Sequence, residues 1–193
     1  MAATLCPIHS PRSGSARFAC ASARGDRARP LGAICPIGRA GFLLGDRWIL
    51  LILRNAMLGM ARFKDFRDDL GIADNILLDR LGRLVGAGVM VKVPYHDGRR
   101  TRQEYRLTQA GAEFSPVLRA LGEWGAQHTT SASPSQPMRV VHTECGGEIG
   151  TDRICTACGA RVSRDEEAWI RPWRSLTPEP LAAPEPRSGL DGD

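Results

Sequence analysis

Apolar residues recur at helical spacing through the first half of the chain, in stretches that glycines separate. Pro36 suits the first position of a helix, and Asp46 suits the cap of the next one. The spacing predicts four helices, at residues 36–44, 47–58, 62–70 and 74–87.

The period changes after the fourth helix. Between residues 89 and 108, apolar and polar residues alternate on both sides of a His-Asp-Gly turn, which predicts a β-hairpin with an arginine-rich tip. An apolar stripe then predicts one helix over residues 108–128, despite Pro116.

Two short helices joined by Gly71 and followed directly by a hairpin have the order of a winged helix-turn-helix. The expected fold class is therefore mainly α with a small β-hairpin (α+β). In that arrangement the second helix enters the major groove of DNA, and the hairpin tip reaches the backbone or the minor groove.

The helix over residues 74–87 has an apolar stripe and, opposite it, a face with Asn75, Asp79, Gly82 and Gly86. Small residues there permit close approach to DNA. Asn75 is suited to adenine, Leu78 to a thymine methyl group and Asp79 to cytosine. The alternative is that this face is merely solvated and that its glycines reflect drift.

The hairpin between residues 92 and 106 has five basic and two acidic residues, a local charge of +3. Such a tip is suited to phosphate contacts, although a charged hairpin is often only solvated. The candidate DNA-binding residues are Arg62, Lys64, Asn75, Leu78, Asp79, Arg80, Arg83, Arg99, Arg100 and Arg102.

The C-terminal quarter contains two ligand pairs, His142-x2-Cys145-Gly and Cys155-x2-Cys158-Gly. Each pair can offer two ligands to one ion from a tight turn, and the four together fill a tetrahedral structural Zn²⁺ site with no open position for water. The alternatives are a cysteine cluster without metal, or a redox pair at Cys155 and Cys158. The pattern predicts a small zinc-ribbon-like module.

The chain has 193 residues and a net charge of +5, which is compatible with a nucleic-acid partner. No apolar run is long enough for a transmembrane helix, and six unevenly spread cysteines favour a reducing cytoplasm.

The expected organisation is a disordered arm (1–33), a DNA-binding and dimerisation domain (34–128), a Ser/Pro linker (129–138), the zinc module (139–171) and a disordered Pro-rich tail (172–193). The composition of residues 1–33 also resembles that of an organelle transit peptide. A further alternative is a start codon assigned too far upstream. Because the linker separates them, the winged-helix core is expected to be independent of the metal.

Several short motifs between residues 35 and 128 together resemble the HxlR family of bacterial transcriptional regulators. They are Cys35-Pro36, Gly45-Asp46-Arg47-Trp48, Arg62-Phe63, Gly71-Ile72, Leu77 with Arg80-Leu81, Gly88 and Tyr105-Arg106-Leu107-Thr108. The resemblance implies a winged-helix homodimer that binds a palindromic operator, usually as a repressor or local activator. The family more often has polar or charged residues at the positions of Leu78, Gly82 and Gly86.

A domain of under 100 residues cannot easily bury all the apolar residues of its outer helices. By resemblance, these form the twofold interface, and the candidates are Phe42, Leu43, Phe114, Leu118, Leu121 and Trp124. The alternative is that Trp124 covers the core of the monomer.

Cys35 precedes a helix, where the helix dipole favours a thiolate. Some HxlR-like regulators use a cysteine at this position to sense oxidants or electrophiles, so Cys35 is a candidate sensor. The alternative is a buried, inert residue.

No nucleophile motif, phosphate loop or acid pair recurs at useful spacing, which argues against an enzyme. The expected function is sequence-specific binding of double-stranded DNA by a homodimer, with a redox or small-molecule signal of unknown identity. The alternative is a protein-interaction adaptor that uses the zinc module and has no specific DNA binding.

Overall fold

The computed structural model describes residues 35–98, 100–130 and 136–186. The N-terminal arm (1–33) and Arg99 lie outside the described residues. The elements in chain order are α1 (Pro36–Leu44), α2 (Arg47–Met57), α3 (Phe63–Leu70), α4 (Asp74–Gly86), β1 (Met90–Asp97), β2 (Arg100–Leu107), α5 (Gln109–Ala112), α6 (Ser115–His128), β3 (Arg139–His142), a 3₁₀ turn (Arg164–Glu166), β4 (Glu167–Arg171) and β5 (Ser175–Pro180).

The four predicted N-terminal helices are confirmed to within a residue or two. Asp46 caps α2, because its Oδ1 accepts the amides of Trp48 at 2.9 Å and Ile49 at 3.4 Å. Ile49, Ile52 and Leu53 of this helix are fully buried. The apolar run is therefore the centre of the core, on which α3 and α4 pack.

Helices α3 and α4 are joined by a tight turn. Gly71 ends α3 in the left-handed conformation at φ 60°, which a side chain would disfavour. The hairpin follows, with β1 and β2 antiparallel in a register that pairs Met90 with Leu107 and Asp97 with Arg100. This arrangement is the predicted winged helix-turn-helix, and β1–β2 is its wing.

The prediction of a single helix over residues 108–128 is wrong. The structure divides it into the four-residue α5 and the longer α6. Pro116 has no amide hydrogen and its ring clashes with the preceding turn, so it is tolerated only in the first turn of α6.

The C-terminal part is larger than predicted. Strands β3, β4 and β5 form an antiparallel sheet in the order β3-β4-β5. The tail expected to be disordered from 172 instead supplies β5, and Leu181 after it is buried. Pairing with β4 and burial of Leu181 stabilise it, and neither is visible in the local composition. We call residues 139–180 the C-terminal module and residues 181–186 the C-terminal strap; residues 187–193 lie outside the described residues.

The winged-helix part (α1 to α6), the C-terminal module and the strap share one hydrophobic core. Val140, Ile149, Cys155, Trp169 and Leu181 belong to the same buried cluster as the core residues of α2 and α4. The strap continues this contact, because the Ala182 amide donates to Met57 O at 2.7 Å and the Glu185 amide donates to Leu107 O at 2.8 Å. The winged-helix part was expected to be independent of the C-terminal module. Their shared core shows that the two are not independent in their packing.

Candidate nucleic-acid interface and metal centre

The outer face of α4 is built as the sequence predicts. Leu77, Leu81 and Leu84 are fully buried against the core, so the opposite side of the helix must face outward. Asn75, Leu78, Asp79, Gly82 and Gly86 are all exposed. Apart from the backbone of α4 itself and the neighbouring residues in the chain, no described atom lies within 4 Å of a Cβ built on Gly82 or Gly86. This face can therefore approach a flat or concave partner closely.

Two of the candidate DNA-binding arginines are engaged within the chain. Arg80 Nη2 lies 2.9 Å from Asp46 Oδ2, which joins α4 to the cap of α2. Arg83 Nη2 donates to Phe42 O at 3.1 Å and Leu43 O at 3.4 Å, at the end of α1. Both side chains thus position α4 against the neighbouring helices.

The wing lies beside α3 through an aromatic contact. The Arg62 guanidinium, at the start of α3, lies 4.7 Å from the centre of the Tyr95 ring in β1, within the range of a cation–π interaction. Arg100 and Arg102 of β2 are exposed, and Arg102 Nε lies 3.1 Å from Asp97 Oδ2. Lys64 is exposed on α3. These exposed basic residues thus lie on α3 and on the wing, two elements that contact α4.

The outer helices present an apolar surface. In the described chain no residue of α1 is buried, and Phe42 is 61% exposed. Leu121 and Trp124 of α6 are exposed, whereas Leu43 and Phe114 are half-buried. Leu118 differs from its predicted interface role because it is buried in the core of the chain.

Cys35 lies at the N-cap position of α1, and its thiol is exposed. The burial that the alternative expects for Cys35 is therefore not found in the described chain.

The four predicted metal ligands meet at one point. The ligand atoms of His142, Cys145, Cys155 and Cys158 all lie within 4.8 Å of one another. His142 Nδ1 is 3.3 Å from Cys145 Sγ and 3.4 Å from Cys158 Sγ. Tetrahedral Zn²⁺ with Zn–S bonds of about 2.3 Å separates its sulfur ligands by about 3.8 Å, so the cluster has the dimensions of one ion.

The loops that hold the cysteines have the backbone that the motif predicts. Gly146 and Gly159, each directly after a cysteine, have φ near 70°, which only glycine adopts at little cost. The amides of Cys158 and Ala157 donate to Cys155 and lower the pKa of its thiol to about 6. A thiolate at neutral pH is the form that binds a metal.

The polar residues that join the C-terminal module to the helices were not found by sequence reasoning. Buried Asn55 of α2 donates through Nδ2 to Asp69 of α3 at 2.6 Å, and Arg174 pairs with the same carboxylate. Arg119 of α6 donates to Ile149 O at 2.9 Å and lies 3.6 Å from fully buried Glu167. Asn55 and Arg119 interrupt apolar helices, which is the only local signal they give.

A helix-turn-helix with an exposed face on its second helix and a basic wing beside it defines the class of winged-helix DNA-binding proteins. Comparison with known proteins agrees. The model of the HxlR-like helix-turn-helix family matches residues 43–133. Rv3095 of Mycobacterium tuberculosis is 37% identical over 144 residues, which are 75% of this chain and 84% of the relative. The chain belongs to the HxlR-like family.

Two further relatives agree with this assignment. Sll1512 of Synechocystis is 34% identical over 105 residues, which are 54% of this chain and 77% of the relative. Both it and Rv3095 are described as uncharacterized HTH-type transcriptional regulators. The crystal structure of PA1607, described as a transcription factor, superposes with a TM-score of 0.56 at 36% identity, covering 70% of this chain and 93% of that one. The protein is therefore a helix-turn-helix transcriptional regulator, a class that is not enzymatic.

Among the described residues, no helix has the length and apolar character needed to cross a membrane.

Proposed function

We propose that the protein is a homodimeric repressor in the bacterial cytoplasm that binds a palindromic operator through α4 and the wing. The observation that carries this proposal is the exposed α4 face, on which Asn75, Leu78 and Asp79 are followed by the small residues Gly82 and Gly86. Asn75 is assigned to adenine, Leu78 to a thymine methyl group and Asp79 to cytosine. Arg62, Lys64, Arg100 and Arg102 are assigned to phosphates, as is Arg99 from the sequence alone.

The exposed apolar residues of α1 and α6 support a twofold interface. Phe42, Leu121 and Trp124 are large, exposed and on the outer helices, which is the composition of an association surface rather than of a solvated one. A dimer through this surface would place two α4 helices about 34 Å apart, one turn of DNA. Cys35 begins α1, so oxidation or alkylation of its exposed thiol would act directly on this interface.

We also propose that one Zn²⁺ per chain is held by His142, Cys145, Cys155 and Cys158. The donor set and the mutual distances support it, and four protein ligands leave no open position for catalysis. The ion would then be structural and would hold the two loops on β3.

The test is operator binding. The purified protein should shift DNA from the upstream regions of its own and neighbouring genes, and the shifted fragment gives the operator. Asn75→Ala should cost about 1–3 kcal/mol on that operator and relax the preference at one base position. Glu123→Ala, an exposed position on α6, serves as the matched control and should bind normally. Equal weakening on all sequences would remove Asn75 from base reading, and no salt-sensitive DNA binding at all would favour the adaptor function.

A further inference from the structure

A cavity of about 400 Å³ lies between the winged-helix part and the C-terminal module. Helices α2 and α6 form two of its sides, and residues 136–138 with the end of β4 form the others. Its size is that of a site for a small organic molecule. The apolar side chains that line it include Leu50, Leu51, Leu118, Met138, Trp169 and Trp173.

The cavity is separate from the proposed dimer surface. Val117 and Trp124 lie on the exposed stripe of α6, whereas Leu118 and Gly125 face the cavity. At 100° per residue, the two sets are centred roughly 100° apart around the helix. Among the described residues, Leu121 lies between the two sets and belongs to both.

Trp169 lies in the wall of the cavity but is fully covered by other described atoms. Its Nε1–H has no hydrogen-bond partner among the described residues, and a ligand in the cavity cannot reach it because no part of the side chain is exposed. The charged group that a ligand can reach is that of Arg54.

Arg54 supplies a positive charge at the same cavity. Its side chain is partly buried, and its Nε and Nη2 donate to the neutral Asn55 Oδ1 at 3.1 and 2.9 Å. The nearest carboxylate, that of Asp69 at 3.9 Å from Nη2, already accepts hydrogen bonds from Asn55 and Arg174. Burial and the nearby Arg171 and Arg174 lower the pKa of Arg54, although Glu179 opposes this. An anion beside Arg54 would therefore be favoured.

We propose that this cavity binds an aromatic carboxylic acid, with its ring against Trp173 and its carboxylate toward Arg54. The apolar sides and the exposed indole of Trp173 select a flat aromatic body, and the arginine selects the acid over a neutral analogue. The inference concerns the free protein and does not rest on the proposed operator binding.

The experiment compares 2-naphthoate with its neutral amide, 2-naphthamide, by isothermal titration of the full chain without DNA. Naphthoate should bind at least tenfold more tightly than the amide. Arg54→Met should reduce that difference to less than threefold, with circular dichroism to verify that the variant is folded.

Gly125 offers a matched pair of variants that test the location. Apart from the backbone of α6 and the neighbouring residues in the chain, a Cβ built on Gly125 meets no described atom within 4 Å, so a larger side chain enters open space. Gly125→Leu should fill the cavity and weaken naphthoate at least tenfold, whereas Gly125→Ala should bind within twofold of the wild type. Absence of binding, equal binding of acid and amide, or undiminished binding to Gly125→Leu would each overturn the proposal.

Discussion

The carboxylate of Asp46 has two roles in the fold. One carboxylate oxygen accepts the amides at the start of α2, and the other pairs with Arg80 of α4. The cap of the central helix and the orientation of the candidate recognition helix therefore depend on the same residue.

Substitutions at Asp46 should separate these roles. Asp46→Ala removes the cap and the ion pair and should lower the free energy of unfolding by about 1–2 kcal/mol. Asp46→Asn keeps a good cap and loses the pairing with Arg80, so it should cost less than about 1 kcal/mol. Urea denaturation of both variants measures the difference, and equal losses would show that the cap contributes nothing.

The same carboxylate should contribute to acid sensitivity. The hydrogen bond from Arg80 holds the pKa of Asp46 below its ordinary value in the folded chain. A lowered folded pKa means that the charged group stabilises the native state above the unfolded pKa of about 4, and that this contribution is lost as the pH falls through the folded value. Between neutral pH and pH of about 2, the wild type should therefore lose more stability than Asp46→Asn.

At the scale of elements, the wing is the clearest electrostatic test. Arg100→Ala and Arg102→Ala should weaken binding to any DNA, and each should reduce the slope of log affinity against log salt by about 1. Arg161→Ala removes an exposed arginine of the C-terminal module and serves as the control. Fluorescence anisotropy over a salt series makes the measurement, and an unchanged slope in both wing variants would exclude backbone contacts there.

Helices α1 and α6 provide the test of assembly. Trp124→Asp places a charge on an exposed apolar residue of α6 and should convert a dimer into a monomer in light scattering after size-exclusion chromatography. Leu176→Asp makes the same kind of change on exposed Leu176 of β5 and should leave the dimer intact. A dimeric Trp124→Asp variant would place the interface elsewhere.

The elements that the sequence predicts correctly are those that local signals define. Asp46, Gly71 and the alternation around the His-Asp-Gly turn fix helix and strand ends within a few residues. The same holds for the convergence of His142, Cys145, Cys155 and Cys158, because two close pairs on tight turns leave little freedom. Strand β5 could not be predicted, since Pro178 and Pro180 in it suggest a chain without structure and only its pairing with β4 stabilises it. The structural roles of Arg80 and Arg83 were missed for a similar reason, because their partners are 34 and 41 residues away.

At the scale of the whole molecule, metal loss should affect more than the metal site. Cys155→Ser should abolish the binding of one Zn²⁺ per chain and, with it, about 10 kcal/mol or more of folding energy in the C-terminal module. Because Trp169 and Leu181 lie in the same core as α2 and α4, those helices should lose stability too. The measurement is amide hydrogen exchange in α2 and α4, together with metal analysis.

Cys35→Ser is the control for this variant, since it removes an exposed thiol far in sequence from the metal ligands and should retain the zinc. Unchanged exchange protection of α2 and α4 in the zinc-free Cys155→Ser protein would show that the winged-helix part is autonomous after all. Purified wild type without zinc and with all three clustered thiols freely alkylated would contradict the metal site itself.

The shared core also limits how this regulator can be recombined. A chimera that joins its helices and wing to another protein after residue 130 would open the core that the helices now share with Trp169 and Leu181. It would also leave Asn55 and Asp69 without Arg171 and Arg174. Such a hybrid would aggregate unless those contact positions were redesigned to polar residues. The unit that can be exchanged between regulators, in the laboratory or by gene fusion, is therefore the whole stretch from α1 to the strap.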